Sequence, residues 1–206
     1  MISDVLLDAG GGPWALVAMS LLVFGDAFLV VIPGEIAVTA LGALSISTGS
    51  PPLWAVIVCA AAAAACGDML CYGIGRWAGT DRWRWMRTPQ LQRAREWARS
   101  RLESGTAVVL FTARFIPFAR LAVNIVAGAT RIPLPRYAGL VALAATGWAI
   151  YQAAIGALVS SLLPDAPIVA IIVSIAVALA VGALIDLVIR RRARRLAAVP
   201  PEAASD

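Results

Sequence analysis

The sequence predicts an all-α polytopic membrane protein. About four full transmembrane helices are expected, plus two re-entrant helical hairpins in an inverted-repeat arrangement, with a cytoplasmic amphipathic helix. Three observations carry that expectation. The 206 residues are 61% hydrophobic and only 14% charged, whereas soluble domains run at about 45–50% apolar and about 25% charged. Apolar stretches that reach the roughly 20 residues of a hydrocarbon crossing alternate with apolar stretches that are too short for one. The formal charge of +5 comes from 17 basic residues, all arginine, set beside and between the apolar segments. Arginines gathered mainly at flanks follow the positive-inside pattern of a membrane protein, which is favoured over a nucleic-acid-binding surface.

Taken in order, residues 13–32 reach the length of a crossing but carry Asp26. The first 75 residues hold no Lys or Arg, so they lack the basic region of a secretory leader, and this first segment is expected to stay in the membrane. Residues 36–49, "IAVTALGALSISTG", are too short to span and stop at "SPP", a helix breaker. A run of that length reads as re-entrant, over about 33–50. Residues 53–75 make a full crossing with Asp68 inside it.

The stretch 76–104 holds eight arginines interleaved with four tryptophans. Leu91, Ala94, Trp97, Ala98 and Leu102 recur at helical spacing, which predicts an amphipathic helix over about 81–104 in the headgroup region; a solvated loop is the plainer alternative. A second short apolar segment, about 105–128, reads as re-entrant. Crossings follow at 137–163 and 168–189, joined by "PDAP". Residues 1–190 thus form one membrane domain, and 191–206 a basic, then flexible, tail. The basic stretch at 76–103 and the tail from Arg190 both belong on the cytoplasmic side. The two short segments then enter from opposite faces, each near a proline, Pro33 and Pro117, that breaks the helix. Broken helices meeting near the midplane are a hallmark of secondary transporters.

Histidine is absent, which excludes enzymes with a His base or nucleophile and His-ligated metal sites. Cys59, Cys66 and Cys71 fall in one apolar run at spacings that fit neither a zinc site nor a disulfide framework. No metal, cofactor or catalytic residue is expected.

The chemistry rests with charges inside apolar sequence. Each arginine at a bilayer centre costs about 2.5–3.5 kcal/mol on insertion scales, and arginine does not escape by losing its proton. Arg114 and Arg120 in "FTARFIPFARLAVNIVAG" therefore need carboxylates, water or an anionic ligand. Six residues apart, they would point about 240° away from each other on an unbroken helix. Pro117 between them breaks the helix and lets both turn to one centre. Asn124 adds a hydrogen-bonding group, and the "AG" at 127–128 a point of close approach. Guanidinium matches phosphate bidentately, so a phosphate headgroup is the natural ligand; a salt-bridge lock between the two short segments is the alternative. Asp26 and Glu35 are the candidate counter-charges and proton acceptors. Glu35 also reads as a first-turn acid facing a helix dipole. Asp68 is either paired with a basic group near the cytoplasmic face, where Arg76 lies two turns on, or part of the transport site. Asp186, beside the Arg190 cluster, reads as a terminal charge.

"GDAFLVVIPGE", "GDMLCYGIGRWAG" and "ARFIPFARLAVNIVAG" followed by Gly147-Trp148 resemble the three hallmark regions of the DedA family, also called the SNARE-associated or VTT-domain family, over roughly residues 20–160. The resemblance implies two re-entrant hairpins facing each other in a bacterial inner-membrane protein. It also implies a role in moving lipids across the bilayer, often dependent on proton-motive force. It places the family's embedded acids at Asp26 and Glu35 and its essential arginines at Arg114 and Arg120. Two positions depart from the family: Asp26-Ala27 stands where Glu-Asn is common, and Pro117-Phe118 where Pro-Gly is common. The expected partners are the bilayer, protons and an anionic lipid, either a polyprenyl phosphate such as undecaprenyl phosphate or an anionic phospholipid. A phospholipid flippase or scramblase and a structural membrane-homeostasis protein are the alternatives. No nucleic acid is expected, and the pattern is compatible with a homo-oligomer.

Overall fold

The computed structural model describes residues 12–29, 34–78, 119–164 and 166–197. The expected amphipathic helix at 81–104, the first part of the second re-entrant segment, and Pro33, Arg114 and Pro117 lie outside the described residues. Those residues form helices: α1 Pro13–Asp26, α2 Gly34–Thr48, α3 Leu53–Ala78, α4 Ala119–Ala129, α5 Leu134–Leu162 and α6 Pro167–Ala197.

Local sequence explains their bounds. Prolines sit in the first turn of α1 and of α5, where the missing N–H costs nothing and the fixed φ suits the helix. The α3 helix runs through six consecutive alanines, 60–65, the best helix former. α1 closes where the Gly25 carbonyl accepts the amides of both Phe28 and Leu29. At the end of α4, Arg131 adopts φ 55° while the Ile132 amide reaches back to the Ala127 carbonyl at 3.2 Å. That is a Schellman-type cap, built here on a residue other than glycine.

Helices α3 and α5 are long and apolar enough to cross a membrane, and they coincide with the expected crossings at 53–75 and 137–163. Trp54 and Trp77, near the two ends of α3, are exposed and stand about 34 Å apart at 1.5 Å per residue, in keeping with aromatic anchors at two interfaces. The first expected crossing differs. α1 has 14 residues, about 21 Å of helix, because the chain turns at Ala27 and Phe28. The last helix differs in the other direction, continuing past 189 through the arginine cluster to Ala197.

Two central helices organise the packing: α1 and α4 lie on α3, α2 and α6 lie on α5, and α3 packs on α5. Small residues make these approaches close. Ala60 and Ala64 of α3 pack in one buried cluster with Ala145, Ala149 and Ala153 of α5, around Trp148, Met19 and Val38. Backbone contact is reciprocal at two crossings. A Cβ at Gly42 would strike Ala153 of α5, and one at Gly156 would strike Thr39 and Ala43 of α2. Likewise a Cβ at Gly75 would strike Ile125 of α4, and one at Gly128 would strike Tyr72 and Arg76 of α3. Small residues at helix crossings are how apolar helices associate where no hydrophobic effect drives them together.

Candidate functional site

The α3–α4 crossing builds the site. Arg120, Asn124 and Gly128 are spaced by four residues along α4, so they share one helix face. Asp68, Tyr72 and Gly75 likewise share a face of α3. Because Gly75 and Gly128 bring the two backbones into contact, the polar residues one and two turns earlier are pressed together.

Arg120 Nε donates to Asp68 Oδ1 at 2.7 Å, and Arg120 Nη1 donates to Asp26 Oδ2 at 3.0 Å. The third nitrogen, Nη2, lies 3.4 Å from the Ala64 carbonyl. Asn124 Nδ2 donates to the same Asp68 Oδ1 at 2.7 Å. The Tyr137 hydroxyl, from α5, donates to Asn124 Oδ1 at 2.9 Å and lies 3.2 Å from the Asp68 backbone carbonyl. One hydroxyl proton serves both acceptors, the nearer more strongly. The Tyr137 ring stacks on Tyr72 with centroids 4.4 Å apart. The Tyr72 hydroxyl donates to the Ile132 carbonyl at 2.6 Å and accepts from Arg76 Nη1 at 3.0 Å.

The cluster is buried to different depths. Side-chain exposure is 5% for Asp68, 11% for Arg120 and 21% for Asp26, while Asn124 is fully enclosed. Charges removed from water in this way are tolerated only when paired and hydrogen-bonded, and breaking such a pair costs about 3–5 kcal/mol. The arrangement holds one guanidinium between two carboxylates.

Of the residues singled out in the sequence, the structure brings Asp26, Asp68, Arg120 and Asn124 together. Asp68 pairs with Arg120, 52 residues away, whereas Arg76 donates to Tyr72. The Asn124 amide is engaged by Asp68 and Tyr137. Glu35 stands in the first turn of α2, within electrostatic range of Tyr151 on α5. The start of that helix abuts Asp26, since a Cβ at Gly34 would lie 3.3 Å from the Asp26 Cβ. Tyr137 is the participant that sequence reasoning missed. Its position just inside a helix start, after "IPLP", carries no distinctive signal. Among the described residues no group of three or more His, Cys, Asp or Glu is placed to hold a metal ion.

The undecaprenyl phosphate transporter A of Bacillus subtilis (strain 168) is 26% identical over 176 residues, covering 82% of this chain and 83% of the relative. No solved structure matches the chain. The family model described as the VTT domain matches residues 32–158, which include α2 through most of α5 and all of the cluster except Asp26. With more than half of its length matched, the chain belongs to the VTT-domain family, also known as the DedA family.

Proposed function

We infer that this protein is a multi-pass transporter of the cell membrane that translocates a phosphate-bearing lipid, with a polyprenyl phosphate of the undecaprenyl class as the first substrate and a glycerophospholipid as the second. It is a transporter rather than an enzyme. The observation that carries the reading is Arg120, a guanidinium set among apolar helices and held by two carboxylates of unequal burial. Asp68 lies 9 residues from Trp77 and 14 from Trp54, about 14 and 21 Å along α3; in this reading the two tryptophans mark the interfaces and the cluster belongs near the middle of the hydrocarbon layer. The relative's name points the same way.

In this reading Arg120 and Arg114 bind the phosphate, beside Asn124. Asp26 and Glu35 compete for the arginines or take up protons, coupling release to the proton gradient. The architecture supports it. α1 and α2 are each too short to span and meet where Gly34 abuts Val23 and Asp26, as in a re-entrant hairpin; α4, about 16 Å long, would be the second half of its counterpart. The crosswise packing of α2 on α5 and α4 on α3, each through a reciprocal glycine contact, is what two inverted repeats would make. The basic stretch at 76–103 and the C-terminus then face the cytoplasm.

The two donors that Asp68 Oδ1 receives, from Arg120 and Asn124, favour a second reading, in which the cluster is a structural lock. Exchanging the charges separates the two. The double variant Asp68→Arg, Arg120→Asp restores an opposite pair but moves the cation from α4 to α3. A lock regains activity relative to the single variants in a liposome translocation assay. The transporter reading expects no recovery, and recovery to the wild-type rate would overturn it.

A further inference from the structure

The geometry points to a division of roles between the two carboxylates on Arg120: Asp68 is its permanent counter-ion, fixed by Asn124 and Tyr137 as positioning residues, and Asp26 is the one that yields to a lipid phosphate. This deepens the transport reading and rests on it.

Asp68 lies in the body of α3, with its side chain almost fully buried, and its Oδ1 receives two donors at 2.7 Å, from Arg120 Nε and Asn124 Nδ2. An asparagine amide fits either way round by shape alone. Here the Tyr137 hydroxyl at Oδ1 selects the orientation that aims Nδ2 at Asp68. Tyr137 is itself enclosed and stacked on Tyr72, so the chain of contacts ends in rigid packing.

Asp26 is held differently. It is the last residue of α1, where the negative end of the helix dipole opposes a carboxylate. Its side chain is the most exposed of the three charges, and its bond to Arg120 Nη1 is longer, 3.0 Å. The guanidinium is thereby divided. The Nε edge is spent on Asp68. The opposite edge, Nη1 with Nη2, meets Asp26 and, at 3.4 Å, the Ala64 carbonyl, which is beyond a good N–H···O distance. Two parallel donors on one edge are what a phosphate takes, and that edge is the one offered when Asp26 swings away.

The division predicts opposite signs for two isosteric variants. Equilibrium binding of farnesyl phosphate to the full chain in nanodiscs, with farnesol as the phosphate-free control, reads them. Asp26→Asn removes a competitor and is expected to tighten farnesyl phosphate binding about tenfold, the equivalent of one charge-assisted hydrogen bond. Asp68→Asn releases the Nε edge and weakens binding by a similar factor. Tyr137→Phe weakens it several-fold alone and adds nothing in the Asp68→Asn background. Shifts of the same sign for the two acids, or an unchanged affinity for Tyr137→Phe, overturn the proposal. Melting temperatures without lipid test the clamp separately: Tyr137→Phe should be non-additive with Asp68→Asn and additive with Asp26→Asn. Additivity with Asp68→Asn overturns the clamp whatever the lipid does. Equal binding of farnesyl phosphate and farnesol by the wild type overturns the transport reading and the exchange at Asp26, while a non-additive melting cycle would still uphold the clamp.

Discussion

Arg120→Lys is expected to reduce protein-dependent translocation of a polyprenyl phosphate by about 10- to 100-fold while leaving folded protein in the membrane, and Arg120→Ala to abolish it. Lysine keeps the charge but not the fork. An ammonium is a compact point charge that cannot span Asp68 on one edge and an anion on the other. The loss is about one hydrogen bond to a charged partner, at about 1.5–3 kcal/mol, and every 1.4 kcal/mol is about tenfold. The alanine variant also leaves Asp26 and Asp68 facing each other in a buried site without their cation, a defect of about 3–5 kcal/mol. Translocation in liposomes, beside size-exclusion profiles of the same preparations, separates the two consequences. Arg120→Lys at the wild-type rate would remove the bidentate phosphate site from the account.

The second large effect falls on the fold. Gly128→Val is expected to prevent recovery of folded protein. Its Cβ would collide with the Tyr72 carbonyl and the Arg76 amide, which are main-chain atoms of a hydrogen-bonded helix, so no flexible side chain is there to give way. Overpacking typically costs about 1–3 kcal/mol, and a backbone-to-backbone collision belongs at the upper end. Separating α4 from α3 would also pull Arg120 and Asn124 off Asp68. Gly73→Ala is the internal control, since a Cβ there meets nothing within 4 Å. It should leave the melting temperature unchanged or raise it, because alanine is the better helix former by about 1 kcal/mol. Equal yields and melting temperatures for the two variants would contradict the reciprocal crossing.

Much of this was legible in the sequence where chemistry and hydropathy act locally. The length of each apolar run placed α3 and α5, and the break at "SPP" placed the end of α2. Arg120 declared itself by its cost in an apolar setting. What stayed hidden was long-range. Asp68 is eight residues from Arg76 and 52 from Arg120, and proximity along the chain says nothing of which guanidinium it meets across a helix crossing. The four-residue ladder Arg120, Asn124, Gly128 was the available clue, since it puts the polar pair on the face that the glycine marks for close approach. Tyr137 had no such marker. α1 ends early for a related reason. Hydropathy continues past Asp26, but a main-chain turn at Gly25 is set by backbone hydrogen bonds that a hydropathy profile does not register.

The central claim is that the cluster around Arg120 recognises a phosphate on a lipid. The most direct measurement is leaflet accessibility in liposomes containing the wild-type protein, comparing a polyprenyl phosphate, the matching polyprenol and phosphatidylethanolamine, each with and without a pH gradient. Protein-dependent movement of the phosphate-bearing lipids is expected, fastest for the polyprenyl phosphate and altered by the gradient, with no protein-dependent movement of the polyprenol. A flat response across all three lipids would contradict it.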